Sequence, residues 1–194
     1  MTEISERPRA IIFDIDGVLC DSSKRIAKYA DIEALNRGDY NAWRASMARY
    51  NATTEEDEVI PSGLRLYRAL QIGMFPARFF FVTSRGEDGR EPTLIWLQDF
   101  INPAICSEDL IMRPAYVERS PGIYWLPGEP KFDHVVYKRA VLTELRKKYN
   151  VILALDDYPD LASMYQEEGV PALHVQWPSV DCISGAGMVE LAAK

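Results

Sequence analysis

Apolar residues along the chain gather into four short runs set apart by polar stretches, at residues 10–15, 78–83, 151–155 and 172–176. Three of these runs are continuous rather than alternating, the pattern of strands buried on both faces. Residues 109–112 form a weaker fifth candidate. Between the runs, apolar positions return every three or four residues, as on one face of a helix. Leu64, Leu66, Tyr67 and Leu70 do so within 62–71, and Val135, Val136, Ala140, Leu142 and Leu145 within 134–149. Residues 92–101 and 160–168 also read as helices. Strands alternating with helices predict an α/β fold, a doubly wound, Rossmann-like parallel sheet covered on both faces. Ligands of such sheets bind beyond the carboxyl ends of the strands. Chemistry is therefore expected just after residues 15, 82 and 155.

Two segments break the alternation. Residues 20–60 are too long for an ordinary loop. They read as two short helices, 22–36 and 39–50, followed by the acidic run Glu55-Glu56-Asp57-Glu58, which is expected to be a solvated surface. The expected organisation is an α/β core at 1–19 and 61–194 with a small helical cap insertion at 20–60. Residues 113–131, rich in proline and carrying Tyr116, Tyr124 and Trp125, read as an ordered loop or small flap. These aromatics, with Tyr29, Tyr40, Trp43 and Tyr50 of the insertion, either anchor their segments or offer faces on which a base can stack. Trp43 and Tyr50 lie seven apart on one predicted helix, which is core spacing.

Composition narrows the function. The 194 residues are 47% hydrophobic, enough for a sizeable core, and carry a formal charge of −7. That balance argues against a basic surface for non-specific nucleic-acid binding, though not against a local basic pocket. No apolar run reaches the roughly 18–20 residues that span a bilayer, so no membrane partner is expected. The acids in the first residues suit neither a basic leader start nor export, and a cytoplasmic location is expected. Cys20, Cys106 and Cys182 form no CxxC pair and read as buried reduced thiols. With only His134 and His174, a histidine-rich metal site is excluded.

The candidate chemistry sits where the sheet predicts it. The first run leads into Phe13-Asp14-Ile15-Asp16-Gly17-Val18-Leu19. Two acids two residues apart project to the same side if the strand stays extended. Crowded at a sheet mouth they repel each other unless a cation or proton intervenes, and Mg²⁺ is the natural partner of such oxygens. The second run ends in Thr83-Ser84-Arg85, a hydroxyl pair and a guanidinium suited to phosphate oxygens. The third ends in Asp156-Asp157. Asp157 has a competing role as the N-cap of the next helix, which does not account for both acids. Lys138 lies near the start of the preceding helix.

The segments FDIDGVL, FFFVTSR, Lys138 and LALDD, in this order, resemble the four motifs of haloacid-dehalogenase-type (HAD) phosphohydrolases over approximately residues 9–177. Within that superfamily the chain looks most like the phosphatase domain of phage-type polynucleotide kinase/phosphatase. The features in common are Arg85 after Thr83-Ser84, the stretch Gly89-Arg90-Glu91-Pro92-Thr93, the stretch Leu110-Ile111-Met112-Arg113-Pro114, and Glu167-Glu168-Gly169-Val170. The resemblance implies Asp14 as the nucleophile that forms a phosphoaspartyl intermediate, and Asp16 as general acid and base. It further implies Mg²⁺ held by Asp14, the backbone carbonyl of Asp16, and Asp156 or Asp157, with Thr83 and Lys138 on the phosphoryl oxygens. Arg85, Arg113 and Ser84 are candidate substrate contacts. The segment between Arg113 and Lys138 is longer and more aromatic than that phosphatase domain leads one to expect.

The implied substrate is a nucleotide-type phosphate, such as a 3′-phosphate at a nucleic-acid end. No GxxxxGK[ST] loop occurs, so an ATP-binding kinase module is not expected. Free deoxynucleoside 5′-monophosphates are the rival substrate, since a small molecule needs no basic track. A non-catalytic binding protein on the same scaffold is a more distant reading. Response-regulator receivers use similar residue types, but there the acid pair comes first in the chain, whereas here it comes last.

Overall fold

Arg9–Phe13 forms β1, and the sheet is built outward from it in both directions. The computed structural model describes residues 7–114, 117–120, 123–125 and 133–177. After β1 come β2 (Cys20–Asp21), α1 (Ser23–Tyr29), α2 (Ile32–Asn36), α3 (Tyr40–Ala52) and β3 (Glu58–Val59). They are followed by α4 (Pro61–Gly73), β4 (Ala77–Gly86), α5 (Arg90–Phe100) and β5 (Leu110–Arg113). The short strands β6 (Val117–Ser120) and β7 (Ile123–Trp125) precede α6 (His134–Lys148), β8 (Asn150–Asp156), α7 (Pro159–Glu167) and β9 (Ala172–His174).

Five strands make one sheet in the order β5-β4-β1-β8-β9, and every pairing in it is parallel. The chain builds one wing through β4 and β5 and the other through β8 and β9. The order therefore reverses at β1, the kind of switch point beyond which such sheets bind their ligands. Alternate residues of each strand face opposite layers. Ile11, Phe13 and Phe81 pack with Tyr67 of α4 and with Trp96 and Leu97 of α5. Ala10, Ile12, Phe80 and Val82 pack with Leu142 and Leu145 of α6 and with Leu161, Met164 and Tyr165 of α7. Each such large side chain removed from water contributes about 1.5–3 kcal/mol, so both layers hold the central strands in register.

All five expected strands and the four expected core helices are present, with ends shifted by a few residues. Three expectations need correction. The predicted helix 22–36 is two helices, because the chain turns extended at Ala30 and restarts with the Asp31 carboxylate accepting from the Ala34 amide. The acidic run 55–58 is exposed at Glu55, Glu56 and Glu58, but Asp57 is buried, drawn in by two arginines. Cys20 is buried as expected, whereas Cys106 is exposed, and Cys182 lies outside the described residues. Within the 113–131 segment, expected as an ordered loop or small flap, β6 and β7 pair antiparallel, while Tyr116 lies outside the described residues.

The 20–60 segment leaves and rejoins the core at one point. β2 and β3 pair antiparallel, Cys20 opposite Val59 and Asp21 opposite Glu58. Tyr50 is buried and Trp43 half-buried, so the core spacing holds more fully for the tyrosine.

Candidate active site

β1 ends at Phe13, and the Asp14 amide still donates to the Leu155 carbonyl at 2.9 Å. The chain then turns sharply: the amides of Leu19 and Cys20 both donate to the Ile15 carbonyl, and Gly17 adopts φ +71°. That left-handed conformation favours glycine. A Cβ there would also lie 2.1 Å from Asp157 Oδ2, so glycine is required for close approach as well. The turn sends the Asp14 and Asp16 side chains into two neighbouring clusters rather than one.

The first cluster gathers the ends of β1 and β8. Asp133 caps α6, accepting from the amides of Val135 and Val136, which sets the helix so that Lys138 reaches the sheet mouth. Lys138 Nζ lies 3.0 Å from Asp14 Oδ1 and 2.7 Å from Asp156 Oδ2, with the lysine and both acids buried. Asp156 Oδ1 also accepts from the Tyr158 amide at 3.1 Å. One carboxylate oxygen each from Asp14, Asp156 and Asp157 lie within 4.8 Å of one another. Burial pushes the Asp14 carboxyl well up, against the pull of Lys138. Asp157 is pushed up to about 6 by desolvation and by Asp156, though its side chain reaches solvent. Lys138 is held protonated, since its two acids outweigh the cost of its burial. The N-cap reading of Asp157 fails: α7 begins at Pro159 after Tyr158, with no side-chain cap.

The second cluster lies on the β4 side. Arg85 grips Asp16 with both arms, Nε to Oδ2 at 2.9 Å and Nη2 to Oδ1 at 2.8 Å. Its Nη2 also donates to Asp57 Oδ2 at 2.6 Å. Arg25 of α1 donates Nε to Asp57 Oδ1 at 2.6 Å and Nη2 to Oδ2 at 2.8 Å, with its guanidinium 3.7 Å from the centre of the Tyr50 ring. Tyr50 Oη lies 3.5 Å from Asp16 Oδ1. Although burial acts to raise it, Arg85 and Arg25 hold the Asp16 carboxyl well below the usual carboxylate range. Arg85 Nη1 is buried without a hydrogen-bond partner among the described residues.

The other expected residues flank these clusters. Thr83 is buried, its Oγ1 accepting from the Arg85 amide at 3.1 Å and lying 3.5 Å from Asp16 Oδ2. Ser84 Oγ pairs with His134 Nδ1 at 2.7 Å. Arg113 is buried and donates to the carbonyls of Ser84 and Pro114 at 2.7 and 3.0 Å. Sequence reasoning gave Arg25, Asp57 and His134 no place in the site, and read Tyr50 only as an anchor or a stacking face. A single Asp inside an acidic run, or one Arg on a polar helix, carries no local mark of burial.

These strand-end groups invite comparison with known proteins. No protein-family model and no curated protein matches the chain. Solved structures do. A chain of the Pnkp1/Rnl/Hen1 complex aligns at TM-score 0.60 and 20% identity, over 89% of this chain and 47% of that one. A haloacid dehalogenase-like family hydrolase from Streptococcus pneumoniae aligns at 0.54 and 14%, over 88% and 85%. A phosphoserine phosphohydrolase-like protein from Francisella tularensis aligns at 0.52 and 12%, over 84% of each chain. The fold is haloacid dehalogenase-like. This HAD-like chain spans about half the length of the Pnkp1/Rnl/Hen1 chain it matches. Among its described residues no helix is long and apolar enough to cross a membrane.

Proposed function

We propose that the chain is a Mg²⁺-dependent phosphomonoester hydrolase that works through a phosphoaspartyl intermediate on Asp14. The observation that carries this is Lys138 set between Asp14 and Asp156 at the mouth of a HAD-like sheet, with Asp157 alongside. The residues fit a hard divalent cation. Three carboxylates converge against one ammonium, and burial together with the neighbouring acids pushes two of them up. Asp14, Asp156 and Asp157 would hold it, and the Asp16 carboxylate, engaged by Arg85, leaves only that residue's carbonyl to contribute. When bound, Mg²⁺ neutralises the repulsion between a dianionic phosphate and the acids that receive it.

The chain's own residues divide the work. Asp14 attacks phosphorus through a carboxylate oxygen. Lys138 stabilises the charge on the phosphoryl oxygens, and Thr83 offers a hydroxyl from the floor of the site. Asp16, ionised at rest against its arginines, takes up a proton as the dianionic phosphate draws near, delivers it to the leaving oxygen and later takes one from the water that cleaves the acyl phosphate. Arg85, with one guanidinium nitrogen unengaged among the described residues, keeps Asp16 in place and can meet an incoming anion. The 20–60 segment acts as the small cap.

The substrate we infer is a nucleotide-type phosphate, such as a 3′-phosphate at a nucleic-acid end. The likeness to a chain of the Pnkp1/Rnl/Hen1 complex supports this, as does Arg85 beside Thr83-Ser84. Phosphate release measured over deoxynucleoside 3′- and 5′-monophosphates, end-phosphorylated oligonucleotides and sugar phosphates tests it. Turnover is expected with Mg²⁺, and none with EDTA or in Asp14→Asn. Retained turnover in Asp14→Asn sinks the covalent mechanism, and turnover of sugar phosphates alone sinks the nucleotide reading. Activity on an oligonucleotide end should fall steeply with salt, that on a mononucleotide less so.

A further inference from the structure

The Asp57 side chain is fully buried between two guanidiniums. Arg25 binds it through both carboxylate oxygens, at 2.6 and 2.8 Å, and Arg85 Nη2 reaches it at 2.6 Å. That same Nη2 donates to Asp16 Oδ1 at 2.8 Å, and lies 3.1 Å from Cys20 Sγ. Asp57 therefore holds the nitrogen that Arg85 shares with Asp16. Its own backbone is fixed independently. Trp96 Nε1 donates to the Asp57 carbonyl at 3.1 Å, and the next residue begins β3, which pairs with β2 just beyond the Asp16 turn.

We propose that Asp57 is a positioning residue for Asp16: by holding Arg85 from the inserted segment, it fixes the face that the guanidinium offers to the Asp16 carboxylate. The inference rests on the hydrolase reading above, in which Asp16 serves the leaving oxygen. An arginine side chain has many rotamers, and ordering it costs entropy that one partner rarely offsets. Asp57 and Asp16 together hold Arg85 from two sides. Without Asp57, the buried Arg25 and Arg85 confront each other as like charges. Arg85 then moves off, and the Asp16 carboxyl loses its orientation. A purely structural role for Asp57, neutralising Arg25, would slow the reaction of every substrate alike.

Leaving-group dependence separates the two roles. A p-nitrophenyl phosphate departs without a proton, whereas an alkyl phosphate needs one. In Asp57→Asn, kcat/KM on an alkyl phosphomonoester, which reads only the steps up to transfer of the phosphoryl group, should fall on the order of 10²-fold, while kcat/KM on p-nitrophenyl phosphate falls far less. Equal losses on the two substrates, or none, overturn the proposal. The paired variant Arg25→Gln/Asp57→Asn, which removes one charge of each sign, guards against a single variant that does not fold, and should show the same bias. Failure of both to fold makes Asp57 a stability residue and also overturns it. A wild-type chain inactive on both substrates would overturn the hydrolase reading, and the positioning role with it. That result is distinct from an active wild type whose variant shows no leaving-group bias.

Discussion

Asp14 and Asp16 stand two residues apart, yet they belong to clusters of opposite electrostatic character. Around Asp14, three carboxylates face one ammonium, and burial pushes Asp14 and Asp157 up. Around Asp16, two carboxylates face two guanidiniums, and Asp16 is held down. The first arrangement is short of positive charge and fits an added cation. The second is neutral by itself and needs none. A buried charge is tolerated only when compensated, so one cluster leaves room for a ligand while the other holds a side chain still.

Neutralising an acid should therefore have opposite effects on the two sides. Asp57→Asn leaves two buried guanidiniums without their shared carboxylate. It should cost about 3–5 kcal/mol, seen as a melting temperature lower by roughly 10 °C in a chain of this size. Asp14→Asn removes an acid that burial already disfavours. In the presence of chelator its melting temperature should not fall, and is expected to rise by a few degrees. Equal destabilisation by the two variants would show that the clusters do not differ in the way described.

Gly17 offers a smaller perturbation of the cation side alone. In Gly17→Ala the new methyl collides with the Asp157 carboxylate, in a left-handed backbone that costs about 1–2 kcal/mol. Gly38 shares that conformation, φ +75°, but a methyl placed there would meet nothing within 4 Å, so Gly38→Ala isolates the backbone cost. The Mg²⁺ concentration giving half-maximal phosphate release should rise about 10-fold or more in Gly17→Ala and stay put in Gly38→Ala. A common shift in both would assign the effect to strain.

The two clusters were not equally legible in the sequence. The continuous strands announced the sheet, because a strand buried on both faces must be apolar throughout. Asp14, Asp156 and Asp157 were visible because polar residues at the ends of such strands stand out against their surroundings, and Lys138, on a helix, only through its place in the order of the motifs. The second cluster was half hidden. Arg85 sits at a strand end and could be singled out, but Asp57 lies in a run of four acids and Arg25 on a short polar helix. What buries them is the β2–β3 pairing that returns the insertion to the core, a contact between residues nearly forty positions apart. Nothing local in the chain encodes that. The conditional expectation that Asp14 and Asp16 point together did not survive the local turn at Gly17, which ends the extended strand between them.

The pH dependence of stability reads the same contrast more gently. Asp157 has a folded value of about 6 against 3.8 for the free side chain, and Asp14 moves in the same direction. Between those values the folded chain binds more protons than the unfolded one, so stability falls as pH rises through the window. Asp16, shifted down, contributes stability above its unfolded value and loses it only in stronger acid. The metal-free protein should thus melt higher at pH 5 than at pH 7.5, and saturating Mg²⁺ should remove the difference. Asp157→Asn should flatten the metal-free profile. An unchanged slope in that variant would place the titration elsewhere.

The smallest expected effect tests whether burial, rather than mere proximity of opposite charges, distinguishes the Asp16 cluster. Lys24 and Glu58 form an ion pair on the same β2–β3 side, Glu58 directly following Asp57, but their side chains are 77% and 55% exposed. Water screens such a pair, and ordering two long side chains offsets most of the attraction. Lys24→Met should therefore leave the melting temperature and both leaving-group rates indistinguishable from wild type, even at low salt. A loss comparable to that of Asp57→Asn would mean that the whole ribbon, not the buried carboxylate, holds Arg85 against Asp16.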